Sequence, residues 1–345
     1  MNSKALKKAA REAGADLVGI ASMDRFEGAP KQMDPRYIFP DAKALIALAF
    51  RIHRGCFRGI EEGTYFISYA TMGYSNINLV QIPTTLRKTC SFLEDHGWEG
   101  VPIPMESHFA AISDCNGKLS TQARAVSADK PVPDVMIHFR IAAVAAGLGE
   151  IGYSNLLLTP EFGPMQRVAF ILTDAPLEPD PLFTGKLCDR CMMCARTCSG
   201  KAISEKETVE MTIAGRTYKM GKLNQPACSL AYAGGVHETS PFLPPDTKFD
   251  LSRESANRPG DARPELRKKL PFADATLSTF HHWPAIEGAR GCMRECLAHL
   301  EKQGKLTKKF HAPFHRGKKP WKMNATPADQ PAKDSPASPQ EYSHY

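Results

Sequence analysis

The sequence contains no long hydrophobic run. Its longest clean apolar stretch, Ala44–Phe50, falls far short of the roughly 20 residues that a membrane-spanning helix needs, so no membrane partner is expected. Between Met1 and Ile20 there is neither the apolar core of a secretory signal nor a twin-arginine pair, and the absence predicts a cytoplasmic protein. No internal repeat is present. An excess of either charge is also missing from most of the chain. The net charge of +7 comes from Glu301–Met323, which holds eight Lys/Arg against one acid, while the remainder balances 36 basic residues with 36 acidic ones.

What is present is the composition of an ordinary globular protein, 42% hydrophobic and 23% charged, long enough for one large domain or two modest ones. The chain has ten cysteines, which in a reducing compartment read as metal ligands and buried thiols rather than disulfides. Four of them form Cys188-Asp-Arg-Cys191-Met-Met-Cys194-Ala-Arg-Thr-Cys198, spaced C-x2-C-x2-C-x3-C. Structural zinc takes two well-separated pairs of ligands, which an unbroken eleven-residue run fits poorly. The spacing is that of bacterial ferredoxins, and its short steps let a turning backbone point several thiolates at one 4Fe–4S cubane. The fourth cysteine of such a run ligates a second cluster, so Cys198 implies partners downstream, where Cys228, Cys292 and Cys296 lie. Cys90 shares a helical face with Leu86 and Leu93 and reads as a core thiol. Cys56 and Cys115 have no partner at ligand spacing.

Along the chain, Ser3–Ala13 has helical spacing with Gly14 as its stop, followed by a strand over Leu17–Ala21. Glu27–Pro40, with three prolines, predicts an irregular connection, and Asp41–Phe50 ends in a buried strand. Arg51–Asn78 is rich in glycine and tyrosine without a simple period and reads as a functional loop. Pro83–His96 predicts a helix, Trp98–Pro104 a short strand, and Met105–Pro133 a long polar excursion. Asp134–Ala146 reads as an alanine-rich helix capped by Asp134, and Gln166–Thr173 as a strand. Arg253–Leu270 suggests a charged surface loop, and Ala325–Tyr345 has the composition of a disordered tail. Gly147, Gly149 and Gly152 have G-x-G-x-x-G spacing but follow a helix, where a dinucleotide fingerprint must follow a strand. They read instead as a tight turn that brings backbone close to a flat or anionic group.

The stretch AGLGEIGYSNLLLTPEFGPMQRVAFILTDAPLEPD, followed by the cysteine run, resembles the superfamily of corrinoid-dependent reductive dehalogenases and epoxyqueuosine reductases. The resemblance covers most of residues 1–300 and is specific in Gly147–Asp180 and Cys188–Ile203. It implies an α+β protein: a nitroreductase-like α/β core over residues 1–180, holding cobalamin, and a ferredoxin-like domain with two 4Fe–4S clusters over 181–300. A basic segment and tail fill 301–345. Crossed ligation assigns Cys188, Cys191, Cys194 and Cys296 to the first cluster and Cys198, Cys228 and Cys292 to the second. The cysteine expected by resemblance to complete the second set falls on Ala289. Three further departures are Tyr153 after the third glycine, Ser199 where proline usually follows the run, and Asp134 one residue out of step with a catalytic aspartate.

Gly147, Gly149, Gly152, Ser154 and Asn155 are the candidate corrinoid-binding residues. A corrinoid reductase needs a proton donor that keeps its proton in an apolar pocket. Tyr65, Tyr69, Tyr74 and Tyr153 are the candidates, with Tyr153 and Tyr74 foremost and Arg140 as a charge partner. Glu150 has no role that the sequence reveals. The leading reading is an iron–sulfur oxidoreductase that takes electrons from a donor such as ferredoxin or flavodoxin and reduces a small organic substrate. The alternatives are an electron-transfer protein that activates a separate corrinoid protein, and an epoxyqueuosine reductase-like enzyme acting on tRNA. In the basic segment Phe310, Phe314 and Trp321 are interleaved with lysines. That pattern fits single-stranded RNA, an acidic protein partner, or a solvated tail strapped over the body.

Overall fold

A computed structural model describes residues 1–104, 124–244, 246–247, 285–315 and 321–323. Cys115, the Arg253–Leu270 loop and the Ala325–Tyr345 tail lie outside them. At the centre is a four-stranded antiparallel sheet in the order β1 (Leu17–Ser22), β2 (Ala44–Arg51), β6 (Gln166–Thr173), β3 (Gly100–Ile103). β2 pairs with β6 along its whole length, from Ala44 opposite Thr173 to Arg51 opposite Gln166. Seven successive residues of β2 are buried, so neither face of this central strand meets water. That is why its sequence is continuously apolar rather than alternating.

Helix α1 (Ser3–Ala13) and helix α3 (Ile82–Glu94) cover one face. α1 is capped by the Asn2 side chain, which accepts the Ala5 amide, and ends at Gly14. α3 carries Pro83 in its first turn, where a missing amide costs nothing. Its Leu86, Cys90 and Leu93 enter the core with Leu6, Ile46 and Leu48. Helix α4 (Phe139–Ala145) packs its alanines on the other face with Ala47, Phe170 and Leu172.

Two parts differ from the sequence reading. Much of residues 54–81 is helical: a 3-10 turn over Arg54–Phe57 and a short α2 (Arg58–Glu62) precede wide π-type turns over Tyr69–Ser75 and Ile77–Gln81. Their irregular residue spacing has no 3.6 period to detect, and such turns concentrate at functional sites. α4 begins at Phe139, and its cap is His138, whose Nδ1 accepts the Ile141 amide at 3.4 Å. Asp134 is therefore no helix cap. Gln32 holds the preceding segment out of the helix, donating to the Val132 and Asp134 carbonyls and accepting the Met136 amide.

After the sheet, a small hairpin of β4 (Glu150–Ile151) and β5 (Leu157–Leu158) precedes β6. The cysteine run includes the short α5 (Met193–Arg196). It leads into a long hairpin, β7 (Ile203–Ile213) and β8 (Arg216–Leu223), whose Ile213, Tyr218 and Met220 are buried with the α4 alanines. Helices α6 (Gln225–Tyr232) and α7 (Cys292–Lys302) complete the described elements. Among the described residues no helix is long and apolar enough to cross a membrane.

Candidate metal centres

The cysteine run turns because two non-glycine residues, Arg190 and Met192, adopt left-handed conformations, with φ of 62° and 64°. This conformation costs energy, and it is retained where surrounding structure demands it. It wraps the backbone so that Cys188, Cys191 and Cys194 converge. α7 packs on α5 and brings Cys296 to the same place, where the four thiols line one small cleft with Gly152, Tyr153 and Leu187. Burial and then the neighbouring Cys188 and Cys191 push the Cys194 thiol up to about 12. Cys296 is pushed well up by burial and by Cys188, Cys194 and Cys191.

Cys198, Cys228 and Cys292 form a second group. Burial and Cys198 raise Cys228 to about 11, and burial, Cys228 and Cys198 raise Cys292. Two glycines permit the approach. A Cβ on Gly200 would lie 2.6 Å from the Ala227 carbonyl oxygen, and one on Gly291 would lie 2.4 Å from that of Thr197. α6 and the start of α7 can therefore reach the cysteine run only at glycine. Cys292 and Cys296, one turn apart on α7, face different groups.

Seven thiols in two sets fit cationic iron–sulfur clusters: burial raises Cys191, Cys194, Cys228, Cys292 and Cys296 in the protein alone, and a bound metal reverses that logic and deprotonates coordinating thiols outright. Backbone amides already point at sulfur: Tyr153 N donates to Cys188 Sγ and Ala202 N to Cys198 Sγ, each at 3.3 Å. Cys56 and Cys90 lie in the hydrophobic core. Burial raises both, Cys90 to about 11, and their ionisable or hydroxyl neighbours are Ser68 and Glu94 rather than another thiol. Asp189, Cys191 and His299 also have ligand atoms within 4.8 Å of one another. Asp189 is already paired with His299 at 2.8 Å and faces Lys305 Nζ at 3.6 Å.

The turn residues take other places. A Cβ on Gly149 would lie 1.9 Å from the Leu158 carbonyl oxygen, and one on Gly147 would lie 2.4 Å from that of Pro181; one on Gly152 would meet Leu158 Cδ1 at 2.8 Å. At these glycines the backbone makes its close approach to its own chain. Ser154 is buried, and Asn155 Nδ2 donates to the Gly221 carbonyl at 2.9 Å. Tyr153 packs against the first thiol group and donates its hydroxyl to the Ser204 carbonyl at 2.9 Å. Arg140 faces the second group, with burial lowering its pKa and Cys228 and Cys292 opposing that shift.

Three residues of consequence escaped the sequence reading. Glu150 is buried beneath the cysteine run, and its Oε1 accepts the amides of Leu187 at 2.7 Å and Cys188 at 2.6 Å. Arg167 donates to the hydroxyls of Tyr69 at 3.2 Å and Tyr232 at 3.3 Å, and lies 4.0 Å from the Tyr74 ring centroid. Burial, Tyr69 and Tyr74 raise Tyr232 well above the ordinary tyrosine value even against Arg167, so it keeps its proton. Tyr232 lies one helical turn from Cys228, and a Cβ on Gly288 would strike the Tyr69 ring at 2.4 Å. The tyrosine nest therefore adjoins the second thiol group. Its members come from distant parts of the chain, and no local spacing announces them.

No family model matches the chain. A 66-residue segment is 46% identical to tetrachloroethene reductive dehalogenase of Sulfurospirillum multivorans, covering 18% of this chain and 13% of that enzyme. A 68-residue segment matches the enzyme of the same name from Desulfitobacterium hafniense at 46%, covering 19% of this chain and 12% of that one. The matched segments thus span about an eighth of these relatives' length. Among solved structures, a catabolic reductive dehalogenase aligns with 95% of this chain and 42% of its own, at 17% identity and a TM-score of 0.48. A selenomethionine-labelled epoxyqueuosine reductase aligns with 91% of this chain and 87% of its own, at 16% identity and a TM-score of 0.44. The chain is thus similar to reductive dehalogenases and epoxyqueuosine reductases, all of them reductases.

Proposed function

We propose that the protein is an iron–sulfur oxidoreductase holding two clusters, the first on Cys188, Cys191, Cys194 and Cys296 and the second on Cys198, Cys228 and Cys292, and reducing a small organic substrate. The observation that carries this reading is the crossed gathering of seven thiols, in which Cys198 leaves its own run to join Cys228 and Cys292. Cys194 of the first set is also near enough to raise Cys292 of the second, which gives electrons a short path between the two sets. The similarity to reductive dehalogenases and epoxyqueuosine reductases adds cobalamin, which when bound supplies a cobalt centre that delivers reducing equivalents to carbon. The Arg167–Tyr69–Tyr74–Tyr232 nest is the proposed proton source, because the buried Tyr232 hydroxyl keeps its proton and is held, with that of Tyr69, by a fixed cation. Glu150 and Tyr153 orient and cover the first cluster.

A second reading, an electron carrier that activates a separate corrinoid protein, is favoured by one observation: the glycine turn closes on its own hairpin. Anaerobic purification followed by iron, sulfide and cobalt analysis separates the two. Iron and sulfide with about one cobalt per chain, or saturable cobalamin binding, supports the reductase. Iron and sulfide with no affinity for any corrinoid supports the carrier. A colourless protein with stoichiometric zinc defeats both. Tyr74→Phe and Arg167→Gln should lower turnover while leaving cluster content unchanged.

A further inference from the structure

In its described residues the basic segment is strapped to the body by its aromatic side chains. Phe314 is 1% exposed. Trp321 packs edge-on to Phe66, donates its indole N–H to the Ile60 carbonyl at 2.7 Å, and lies under Arg290. Phe310 alone remains half exposed, and the Arg54 guanidinium covers one of its faces at 3.6 Å. The aromatic rings that could have stacked on bases are thus used to strap the segment to the body. His315 completes the attachment, facing the buried carboxylates of Glu61 and Glu295.

Strapping leaves the charge outside. Lys302, Lys308, Lys309 and His311 are exposed around an open groove of about 520 Å³. The one acid on this groove, Glu301, is bound by Arg54 at 3.0 Å. The groove begins on α7, the helix that carries Cys296. Lys302 lies six residues further along, about 9 Å at 1.5 Å per residue. Lys305, between the groove residues Gly304 and Leu306 in sequence, donates to the Leu187 carbonyl next to Cys188 at 2.8 Å.

We propose that this groove is the docking face for an acidic electron-donor protein, whose electrons would pass to the cluster held by the first thiol group, by way of the Cys296 end of α7. The proposal rests on the iron–sulfur reading and adds the partner's chemistry and its place of entry. The body carries equal numbers of acids and bases, so this segment is where the chain can attract an acidic partner. Steering by one such charged patch raises association rates on the order of ten- to a thousandfold at low salt, and added salt removes the gain. Exposed lysines around the rim suit the transient, charge-guided encounters of electron carriers.

The test is stopped-flow reduction of the anaerobic protein by a reduced acidic ferredoxin or flavodoxin, comparing wild type with the Lys302→Gln, Lys308→Gln, Lys309→Gln triple variant. Dithionite reports independently on whether the clusters are present and reducible. The expected result is a carrier-driven rate at least tenfold lower in the variant at low salt, a steep salt dependence in wild type only, and equal dithionite bleaching in both. Equal carrier-driven rates with normal dithionite bleaching would overturn the docking proposal and leave the iron–sulfur reading standing. No bleaching in either protein would overturn both. Equal carrier rates together with a tRNA stem-loop that binds wild type but not the variant would assign the groove to nucleic acid instead.

Discussion

The carboxylate of Glu150 holds the first cysteine of the run: its Oε1 accepts the Cys188 amide at 2.6 Å, and its Oε2 is met by Arg216 at 3.3 Å. A residue of the β4 hairpin thus sets the position of a thiol 38 residues away, and Arg216 of β8 locks the carboxylate from the other side.

The Glu150→Ala variant should therefore lose the first cluster more readily. The buried Leu187 amide and the partly buried Cys188 amide lose their acceptor, at a cost of about 1–3 kcal/mol for a buried group left unsatisfied. Iron release to a chelator should accelerate for about half of the iron, with a lower melting temperature. Unchanged release kinetics would show that Cys188 is held by its other contacts.

Replacing Ala289 with cysteine addresses the second group, which has three thiols among the described residues. Ala289 lies two residues beyond Glu287, a buried carboxyl that burial raises to about 7 and that accepts the Ser199 hydroxyl at 2.7 Å. The Ala289→Cys variant should alter the spectrum and midpoint potential of one cluster and leave the other unchanged. A wild-type protein with eight cysteine-bound irons, found by spectroscopy or by a structure with clusters bound, would remove the basis for this expectation.

Arg140 places a cation beside Cys228 and Cys292. Adding an electron to a cluster is easier next to a positive charge, so Arg140→Gln should make the second cluster's midpoint potential more negative. Arg140→Lys should recover most of the shift. Redox titration with the first cluster as an internal reference reads this directly, and an equal shift in both clusters would point to a global disturbance instead.

His138 gives a pH dependence with a definite sign. Burial, aided by Arg140, pushes its imidazole down to about 4 from an ordinary 6.5. Between those values the unfolded chain binds a proton that the folded chain refuses. Its contribution is therefore complete above pH 6.5 and is lost as pH falls toward 4, by roughly 3 kcal/mol in all. Protonation also removes the Nδ1 lone pair that caps α4. Denaturant unfolding from pH 7.5 to 4.5 should show wild type losing stability relative to His138→Asn, which caps a helix without titrating. Parallel curves would contradict the assignment.

By itself the sequence determined the elements whose physics is local. α1 and α3 could be read from apolar residues at helical spacing and from their glycine stops. β2 and β6 were legible as unbroken apolar runs, because a strand buried on both faces has no reason to alternate. The cysteine run was legible because closely spaced ligands must come from one short stretch of backbone. Tertiary structure decided what local spacing could not express. The π-type turns over 69–81 have no 3.6 period. The β7–β8 hairpin went unread, and α4 started five residues late because Gln32, a hundred residues upstream, holds the chain before it extended. The pairing of Glu150 with Cys188, of Arg140 with Cys228, and of Arg167 with three tyrosines joins residues from separate elements. Such partners are chosen by the close approach of backbones at Gly200 and Gly291 and by the need to satisfy buried charge. The basic, aromatic C-terminal segment carried several meanings as a sequence. In the structure Phe314 is buried and Trp321 is packed against Phe66 and Arg290, while Lys302, Lys308 and Lys309 stay exposed.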